Sequence, residues 1–255
     1  MTLAAKTPPP PLDRGEALFL DVDGTLLEIA PRPDLVAVPP ELPPLLGRLA
    51  RRQGGALALV SGRRIADVDR LLRPWRGAVA GLHGGERRRA DGSYVKGDGK
   101  PLDLAAKIAL DRLRPLLAEA PRRWPGMRLE DKGKTLALHY RAAPEREAEA
   151  RAFAAALLAG ASEALRLIDG KRVFEFQPRH YGKDRAIAAF LDEAPFCGRR
   201  PIFLGDDTTD EDGFAEVNRR GGRSIRVGLP RPTCATAALP SVAAALAWLR
   251  SGLTG

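Results

Sequence analysis

Short runs that are apolar at every position recur along this chain, and a helical pattern follows each of them. The first three runs are residues 17–20, 56–60 and 78–82, with helical spacing of leucine and isoleucine at 42–49 and 64–73. Strands that are apolar throughout are typical of a parallel sheet covered on both faces. The strand–helix–strand spacing indicates βαβ units. We therefore predict an α/β fold built on a parallel sheet.

The middle of the chain breaks this pattern. Two pairs of strand-like runs, 127–130 with 135–140 and 165–168 with 172–176, accompany helical patterns at 103–118 and 145–159. Asp169-Gly170 looks like the turn of the second pair, as Asp91-Gly92 does for an earlier hairpin. These elements predict a compact α+β unit inserted into the parallel fold.

The parallel pattern then resumes to the end of the chain. Its predicted elements are a helix at 183–192, strands at 201–204 and 224–228, and a helix at 241–250. We expect a split α/β core at 16–97 and 179–255, an inserted unit at 98–178 and a flexible proline-rich leader at 1–15.

Composition excludes several classes of protein. Of 255 residues, 44% are hydrophobic and 29% are charged, which is typical of a globular chain rather than a disordered one. Cys197 and Cys234 stand too far apart for a zinc or redox motif, and two cysteines exclude a disulfide scaffold. No apolar run approaches the roughly 18–20 residues of a membrane helix. Because the N-terminus lacks a signal-peptide pattern, we expect a cytoplasmic protein without a membrane partner.

The net charge of +9 allows a second interpretation, binding to nucleic acid. Such binding requires a concentrated basic stripe within a recognisable module. The arginines here are scattered, with short clusters at 87–89, 122–123 and 219–220. We therefore expect no nucleic-acid partner.

Polar motifs stand where the predicted strands end. They are Asp21-Val22-Asp23, Ser61-Gly62-Arg63, Gly81-Leu82-His83-Gly84 and Gly205-Asp206-Asp207, with Asp210 close behind. In an α/β sheet the carboxyl ends of parallel strands share one edge, so these carboxylates converge. They repel each other unless a cation is bound, and oxygen ligands suit Mg²⁺. Our candidate metal ligands are Asp21, Asp23, Asp206 and Asp207. Which of Asp206, Asp207 and Asp210 contact the ion directly stays open.

The same motifs contain the groups that phosphoryl transfer needs. Asp21 and Asp23 are two residues apart, so one carboxylate can attack phosphorus while the other handles protons. Ser61 can hydrogen-bond a phosphoryl oxygen, and Gly24 and Gly62 allow close backbone approach. Lys183 follows a glycine at the start of a predicted helix and could place its ammonium beside Asp21.

Four features resemble the four motifs of the haloacid dehalogenase (HAD) superfamily, in the same order: Asp21-Val22-Asp23-Gly24-Thr25-Leu26, Ser61, Lys183 and the segment 205–211. The chain resembles the trehalose-6-phosphate phosphatase family more closely still. The segments that carry this closer resemblance are DVDGTLLEIAPRPD (21–34), ALALVSGR (56–63), GLHGGERR (81–88), LALHYR (136–141) and GDDTTDEDGF (205–214). The resemblance implies a HAD-like Rossmannoid core with a type 2 cap at 98–178. It also implies that Asp21 is the nucleophile and Asp23 the general acid/base. Mg²⁺ would be held by the Asp21 and Asp206 carboxylates and the Asp23 carbonyl.

By the same resemblance, the inserted unit binds sugar through Glu130, Lys132 and Glu175. An exposed strand face or a salt bridge within this unit would also explain the two glutamates. His83 and Arg63 are candidates for contacting the substrate. The expected partner is a small molecule, trehalose 6-phosphate, bound by a monomer. A sugar phosphomutase and a broad sugar-phosphate phosphatase remain as alternatives.

Overall fold

The computed structural model describes residues 7–30, 35–95, 103–161 and 163–253. Contacts divide the chain into two units, one of Met1–Asp98 and Gly182–Gly255 and one of Gly99–Tyr181. The first boundary of the expected insertion, at residues 97–98, lies outside the described residues. The second boundary follows Tyr181 rather than residue 178. Arg166 donates a hydrogen bond to the Tyr181 carbonyl, which joins that residue to the inserted unit.

The first unit is built on an eight-stranded sheet. Numbered along the whole chain, its strands are β1 (Glu16–Leu20), β2 (Leu57–Val60), β3 (Ala78–Gly81), β4 (Glu86–Arg88), β5 (Tyr94–Val95), β10 (Arg200–Gly205), β11 (Arg223–Val227) and β12 (Ala237–Leu239). Their spatial order is β12-β11-β10-β1-β2-β3-β4-β5. The six strands from β12 to β3 pair in parallel, and β4 and β5 pair antiparallel. The predicted parallel sheet is confirmed.

Helices cover both faces of this sheet. They are α1 (Leu42–Arg52), α2 (Ile65–Leu71), α6 (Lys183–Leu191), α7 (Glu211–Arg219) and α8 (Val242–Ser251). The core around Leu18 and Leu20 includes residues of α1, α2 and α8. Phe19, one position along the strand, belongs instead to the core that α6 and α7 complete. Successive residues of β1 therefore enter opposite cores, which explains why the strand is apolar throughout.

The segment from residue 7 to residue 15, which the sequence predicts to be flexible, packs against the first unit instead. Leu12 is buried. The Pro10 carbonyl accepts hydrogen bonds from the Arg223 guanidinium and from Trp248 Nε1. Prolines cannot donate backbone hydrogen bonds, but their carbonyls still accept them, so a proline-rich segment can be held by side-chain donors. Residues 1–6 of the predicted leader lie outside the described residues.

In its described residues, the second unit combines a four-stranded antiparallel sheet with three α-helices. The strands are β6 (Arg128–Asp131), β7 (Leu136–His139), β8 (Leu165–Gly170) and β9 (Val173–Pro178), in the order β6-β7-β9-β8. The helices are α3 (Leu104–Ala118), α4 (Ala120–Arg123) and α5 (Glu147–Ala159). One face of the sheet packs on α3 and α5 through residues such as Leu138 and Phe174. The predicted α+β character of this unit is confirmed.

The β8–β9 turn lies slightly later than predicted. Asp169 and Gly170 pair with Phe174 and Val173 as part of the ladder. The chain reverses at the next two residues, where Arg172 has a φ of 60°. In the described part of the chain, no helix combines the length and the apolar character that a membrane crossing requires.

Candidate active site

Asp21 lies at the carboxyl end of β1 beside a buried lysine. The backbone N–H of Asp21 donates to the Leu204 carbonyl at 2.9 Å, which holds this residue against the end of β10. Lys183 is the first residue of α6, and its Nζ donates to Asp21 Oδ1 at 2.7 Å and to Asp210 Oδ1 at 2.6 Å. All three side chains are buried. The structure therefore brings together residues that lie 162 and 27 positions apart in the chain.

Three buried carboxylates form an acidic cluster, which comprises Asp21, Asp206 and Asp210. One oxygen from each lies within 4.8 Å of the others. Asp210 Oδ2 accepts hydrogen bonds from the backbone N–H groups of Asp206 and Asp207, both at 2.9 Å. The short 3₁₀ helix Thr208–Asp210 turns the chain back so that this carboxylate reaches its own strand end. Asp210 thus orders the loop that presents Asp206.

The acidic cluster perturbs the protonation of its own members. Burial raises the pKa of Asp21 well above its usual range; the Lys183 ammonium opposes this shift, and the carboxylates of Asp210 and Asp206 add to it. Burial disfavours the Lys183 ammonium, but Asp21 and Asp210 outweigh burial and raise the pKa of this lysine. Lys183 therefore remains charged, and a further positive charge would favour an ionised Asp21.

The residues of the acidic cluster fit a divalent cation of the Mg²⁺ type. Three buried carboxylates lie close together, the Lys183 ammonium pairs with two of them, and all their ligand atoms are hard oxygens. Both oxygens of Asp210 accept short hydrogen bonds of 2.6 to 2.9 Å, whereas Asp21 Oδ2 accepts a long one, at 3.4 Å from the Thr25 hydroxyl. Asp21 and Asp206 are therefore the better candidate ligands, and Asp210 supports them.

Gly24 makes room for the Asp206 carboxylate. A Cβ atom at Gly24 would lie 2.0 Å from Asp206 Oδ2, and the φ of this residue is +85°. A side chain here would both clash and strain the backbone. The sequence predicts that this glycine admits a phosphoryl group; the structure gives it a further role in admitting the Asp206 carboxylate.

Asp23 lies apart from the acidic cluster and pairs with Arg63. The Arg63 guanidinium makes a bidentate contact with Asp23: its Nε donates to Oδ2 at 2.6 Å and its Nη2 donates to Oδ1 at 2.7 Å. The Asp23 side chain is 36% exposed, whereas that of Arg63 is 13% exposed. Of the two carboxylates that follow β1, Asp21 is buried and Asp23 is therefore the more accessible.

Ser61, Gly62 and His83 pack together at the ends of β2 and β3. The Ser61 carbonyl accepts from the His83 N–H at 3.0 Å, and Ser61 Oγ accepts from the Arg63 N–H at 3.2 Å. A Cβ atom at Gly62 would lie 2.7 Å from His83 Nε2. His83 is buried with a φ of 53°, an uncommon backbone conformation for a side-chain-bearing residue. The absence of a side chain at position 62 is what lets this imidazole occupy its place.

Asp207, one of the predicted metal ligands, lies outside the acidic cluster. Its Oδ1 accepts from the Thr208 N–H at 2.6 Å, and it is the N-cap of the 3₁₀ helix. Arg231 Nη1 lies 4.0 Å from the same oxygen. The structure thus distinguishes three neighbouring acidic residues: Asp206 and Asp210 join Asp21, and Asp207 caps a turn.

In the second unit, the candidate sugar-binding residues share one face of the sheet. The ladder pairs Glu130 with Ala137 and Ala137 with Glu175, so these side chains point to the same side. Lys132 Nζ donates to Glu175 Oε2 at 3.1 Å. His139 is not among the site residues predicted from the sequence, yet its Nε2 lies 2.7 Å from Glu130 Oε2. The hairpin register, which places 128 opposite 139, is the signal that could have found it.

The chain is similar to named phosphatases over most of its length. Residues 19–239 match a family model described as trehalose-phosphatase. A probable trehalose-phosphate phosphatase of Sinorhizobium fredii is 47% identical over 230 residues, covering 90% of this chain and 83% of the relative. The trehalose-6-phosphate phosphatase of Escherichia coli K12 is 45% identical over 225 residues, covering 87% and 81%. The C-terminal domain of the C. albicans trehalose-6-phosphate phosphatase shares the fold, with a TM-score of 0.83, 22% identity and coverage of 98% and 99%.

Proposed function

The chain belongs to the trehalose-phosphatase family and is a phosphatase, and from this premise we propose that it hydrolyses trehalose 6-phosphate to trehalose and phosphate, the last step of trehalose biosynthesis. The family predicted from the motifs is confirmed. One observation of the structure carries the proposed chemistry. Lys183 bridges Asp21 and Asp210 in a buried acidic cluster at the carboxyl edge of the sheet.

The reaction proceeds in two steps through Asp21. First, a carboxylate oxygen of Asp21 attacks phosphorus, and the bond between phosphorus and the sugar oxygen breaks as Asp23 donates a proton to that oxygen. Trehalose leaves, and Asp21 carries the phosphoryl group as an acyl phosphate. Second, Asp23 takes a proton from water as the water oxygen attacks phosphorus. The bond from Asp21 to phosphorus then breaks, which releases phosphate and restores the carboxylate.

Lys183 and Arg63 handle charge in these steps. Lys183 stabilises the ionised Asp21 that attacks, because its ammonium lies 2.7 Å away in a buried environment. The phosphoryl group competes with the Asp23 carboxylate for the hydrogen-bond donors of the Arg63 guanidinium. Binding of substrate thereby frees the Asp23 carboxyl to carry the proton that the leaving sugar needs.

The site would be completed by Mg²⁺. The Asp21 and Asp206 carboxylates would hold it, together with the Asp23 backbone carbonyl that the family resemblance implies. When bound, the ion supplies positive charge to the transferring phosphoryl oxygens. Ser61 hydrogen-bonds the same group, and Asp210 keeps Asp206 and Lys183 in place.

The second unit acts as the cap that recognises the sugar. Glu130, Lys132 and Glu175 place both signs of charge on one sheet face, and such groups pair well with the donors and acceptors of a hydroxyl-rich ligand. Glu175 is buried beside Lys132, so it is held rather than mobile. This arrangement supports recognition of a disaccharide rather than of any phosphate ester.

The test is phosphate release from trehalose 6-phosphate, glucose 6-phosphate and p-nitrophenyl phosphate. We expect strong preference for the disaccharide, loss of activity with chelator and recovery with added Mg²⁺. Asp21→Asn should abolish turnover, whereas Asp192→Asn, at an exposed helix end, should not. Equal rates on both sugar phosphates would indicate a broad phosphatase, and bisphosphate-dependent isomerisation would indicate a mutase. Full activity of Asp21→Asn would refute the acyl-phosphate step.

A further inference from the structure

The inserted unit has one apolar and one polar sheet face, and the polar face contains more than the candidate sugar ligands. We define the polar face by six residues. The ladders put Arg128, Glu130, His139, Glu175 and Gln177 on one side, and Lys132, just beyond the end of β6, joins them through its contact with Glu175. The opposite side carries the residues that pack on α3 and α5. Charged side chains on the polar face contact one another, so each one restricts where its neighbours can point.

His139 and Glu130 are diagonal neighbours on the polar face. Glu130 lies opposite Ala137, and His139 is two residues further along the same strand. Nε2 of the imidazole lies 2.7 Å from Glu130 Oε2, and Arg128 Nη2 lies 3.9 Å from the same oxygen. Both contacts use Oε2. Oε1 can therefore accept a hydrogen bond from a ligand hydroxyl while the imidazole fixes the other oxygen.

The environment of Glu130 keeps its carboxylate ionised. Burial acts to raise the pKa of Glu130, but the hydrogen bond from His139 and the charges of Lys132, His139 and Arg128 outweigh burial and lower the pKa to about 2. At neutral pH the group is thus an acceptor only. The His139 side chain is 14% exposed and that of Glu130 is 28% exposed, so the imidazole lies deeper and braces the carboxylate.

We propose that His139 is a positioning residue for the sugar: its Nε2–H holds the Glu130 carboxylate in the orientation that accepts a hydrogen bond from a substrate hydroxyl. This inference rests on the proposed function, since it assigns Glu130 to the sugar. A free glutamate side chain must lose rotamer freedom when a ligand binds, and a carboxylate already held by an imidazole loses less. His139 therefore acts on binding of the disaccharide and leaves the chemistry at Asp21 unchanged.

The test compares two substitutions of His139 on two substrates. His139→Phe keeps a ring but removes the donor, and His139→Gln supplies an amide N–H near the position of Nε2. For His139→Phe we expect the KM for trehalose 6-phosphate to rise about tenfold, equivalent to about 1.4 kcal/mol, with kcat within twofold of wild type. The kcat/KM for p-nitrophenyl phosphate, which has no sugar, should not change. His139→Gln should recover most of the lost affinity.

Asp131→Asn is the matched control. Asp131 is the next residue of β6, but its side chain points to the opposite side, where Arg114 of α3 donates to it. Asp131 Oδ1 also accepts the Gly133 N–H at 2.7 Å, and the amide oxygen of asparagine can accept the same hydrogen bond. The substitution therefore removes a charge from the strand and keeps the turn that carries Lys132. We expect an unchanged KM for both substrates.

A double-mutant cycle with Glu130→Gln separates positioning from folding. If His139 acts through Glu130, adding His139→Phe to Glu130→Gln should raise KM by less than twofold. Additive effects, or an equal loss on p-nitrophenyl phosphate, would overturn the inference. An unchanged KM of His139→Phe for trehalose 6-phosphate would also overturn the inference. The proposed function would still stand in that case, provided that the wild type hydrolyses trehalose 6-phosphate. Wild type that hydrolyses only p-nitrophenyl phosphate would refute the proposed function itself.

Discussion

Replacing Asp210 with asparagine tests whether this carboxylate organises the acidic cluster. Asp210 is fully buried and accepts three hydrogen bonds: from Lys183 Nζ at 2.6 Å and from the N–H groups of Asp206 and Asp207 at 2.9 Å. An asparagine side chain has nearly the same shape but a single acceptor oxygen. Whichever way the amide turns, its NH₂ group faces a donor.

The expected cost follows from these contacts. Losing a hydrogen bond to a charged group costs about 1.5–3 kcal/mol, and breaking a buried ion pair costs about 3–5 kcal/mol. Removing one of three neighbouring carboxylates relieves repulsion and offsets part of this cost. We therefore expect Asp210→Asn to lower the free energy of unfolding by about 2–3 kcal/mol.

Urea unfolding in the presence of chelator measures this change without a bound cation. In a Trp124→Phe background, fluorescence reports only on Trp75 and Trp248, both in the first unit. The control is Asp207→Asn. Asp207 caps the Thr208 N–H, and asparagine caps helices about as well as aspartate, so we expect a change below about 0.5 kcal/mol.

The outcome that refutes this reasoning is equal stability of the two variants. If the free energies of unfolding of Asp210→Asn and Asp207→Asn differ by less than about 0.5 kcal/mol, the buried contacts of Asp210 contribute little to stability. Ordinary surface substitutions change the free energy of unfolding by no more than about this amount. We also expect Asp210→Asn to lose at least about 100-fold in kcat, because it displaces groups at the reacting centre.

Two further predictions concern charge and space. Hydrogen bonding to Arg87 lowers the pKa of Glu193 to about 2 from a usual 4.5, so the pair stabilises the fold at neutral pH and this stabilisation is lost as pH falls from 4.5 towards 2. Glu193→Gln should lower the free energy of unfolding, measured by urea titration, by about 1 kcal/mol at pH 7 and by less at pH 3. A difference between variant and wild type that grows as the pH falls would contradict this prediction. Gly24→Ala should reduce kcat/KM in the phosphate-release assay at least about 100-fold, because the added Cβ displaces Asp206. The control is Gly15→Ala, whose added Cβ meets nothing within 4 Å and which should match the wild type in the same assay.

Much of the fold could be predicted because its strands are apolar at every position. The sequence predicts β1, β2, β3, β10 and β11 to within a residue or two. It misses β12, since the three residues Ala-Ala-Leu before a proline give too short a signal. It also misjudges residues 7–15, because tertiary donors such as Trp248 hold the Pro10 carbonyl and local composition does not reveal them.

The convergence of the acidic residues could be predicted from the sequence, but the different structural position of each one could not. Strand ends share an edge, so Asp21 and Asp206 could be expected to approach each other. One short 3₁₀ helix brings the Asp210 carboxylate back to the end of its own strand and leaves Asp207 outside the acidic cluster. Likewise, the contact between Asp23 and Arg63 depends on side-chain orientation, which residue spacing does not specify.

The large sheet of the first unit ends in very short strands on both sides. β5 has two residues, and β12 has three and is followed by Pro240. The Ala238 N–H on the latter edge donates to the Thr7 carbonyl at 3.4 Å. Unpaired strand edges are templates on which other molecules can add a strand, and short or covered edges offer little of this. Concentrated solutions of this protein should therefore be slow to form intermolecular β-aggregates, and deleting the first dozen residues should make them faster.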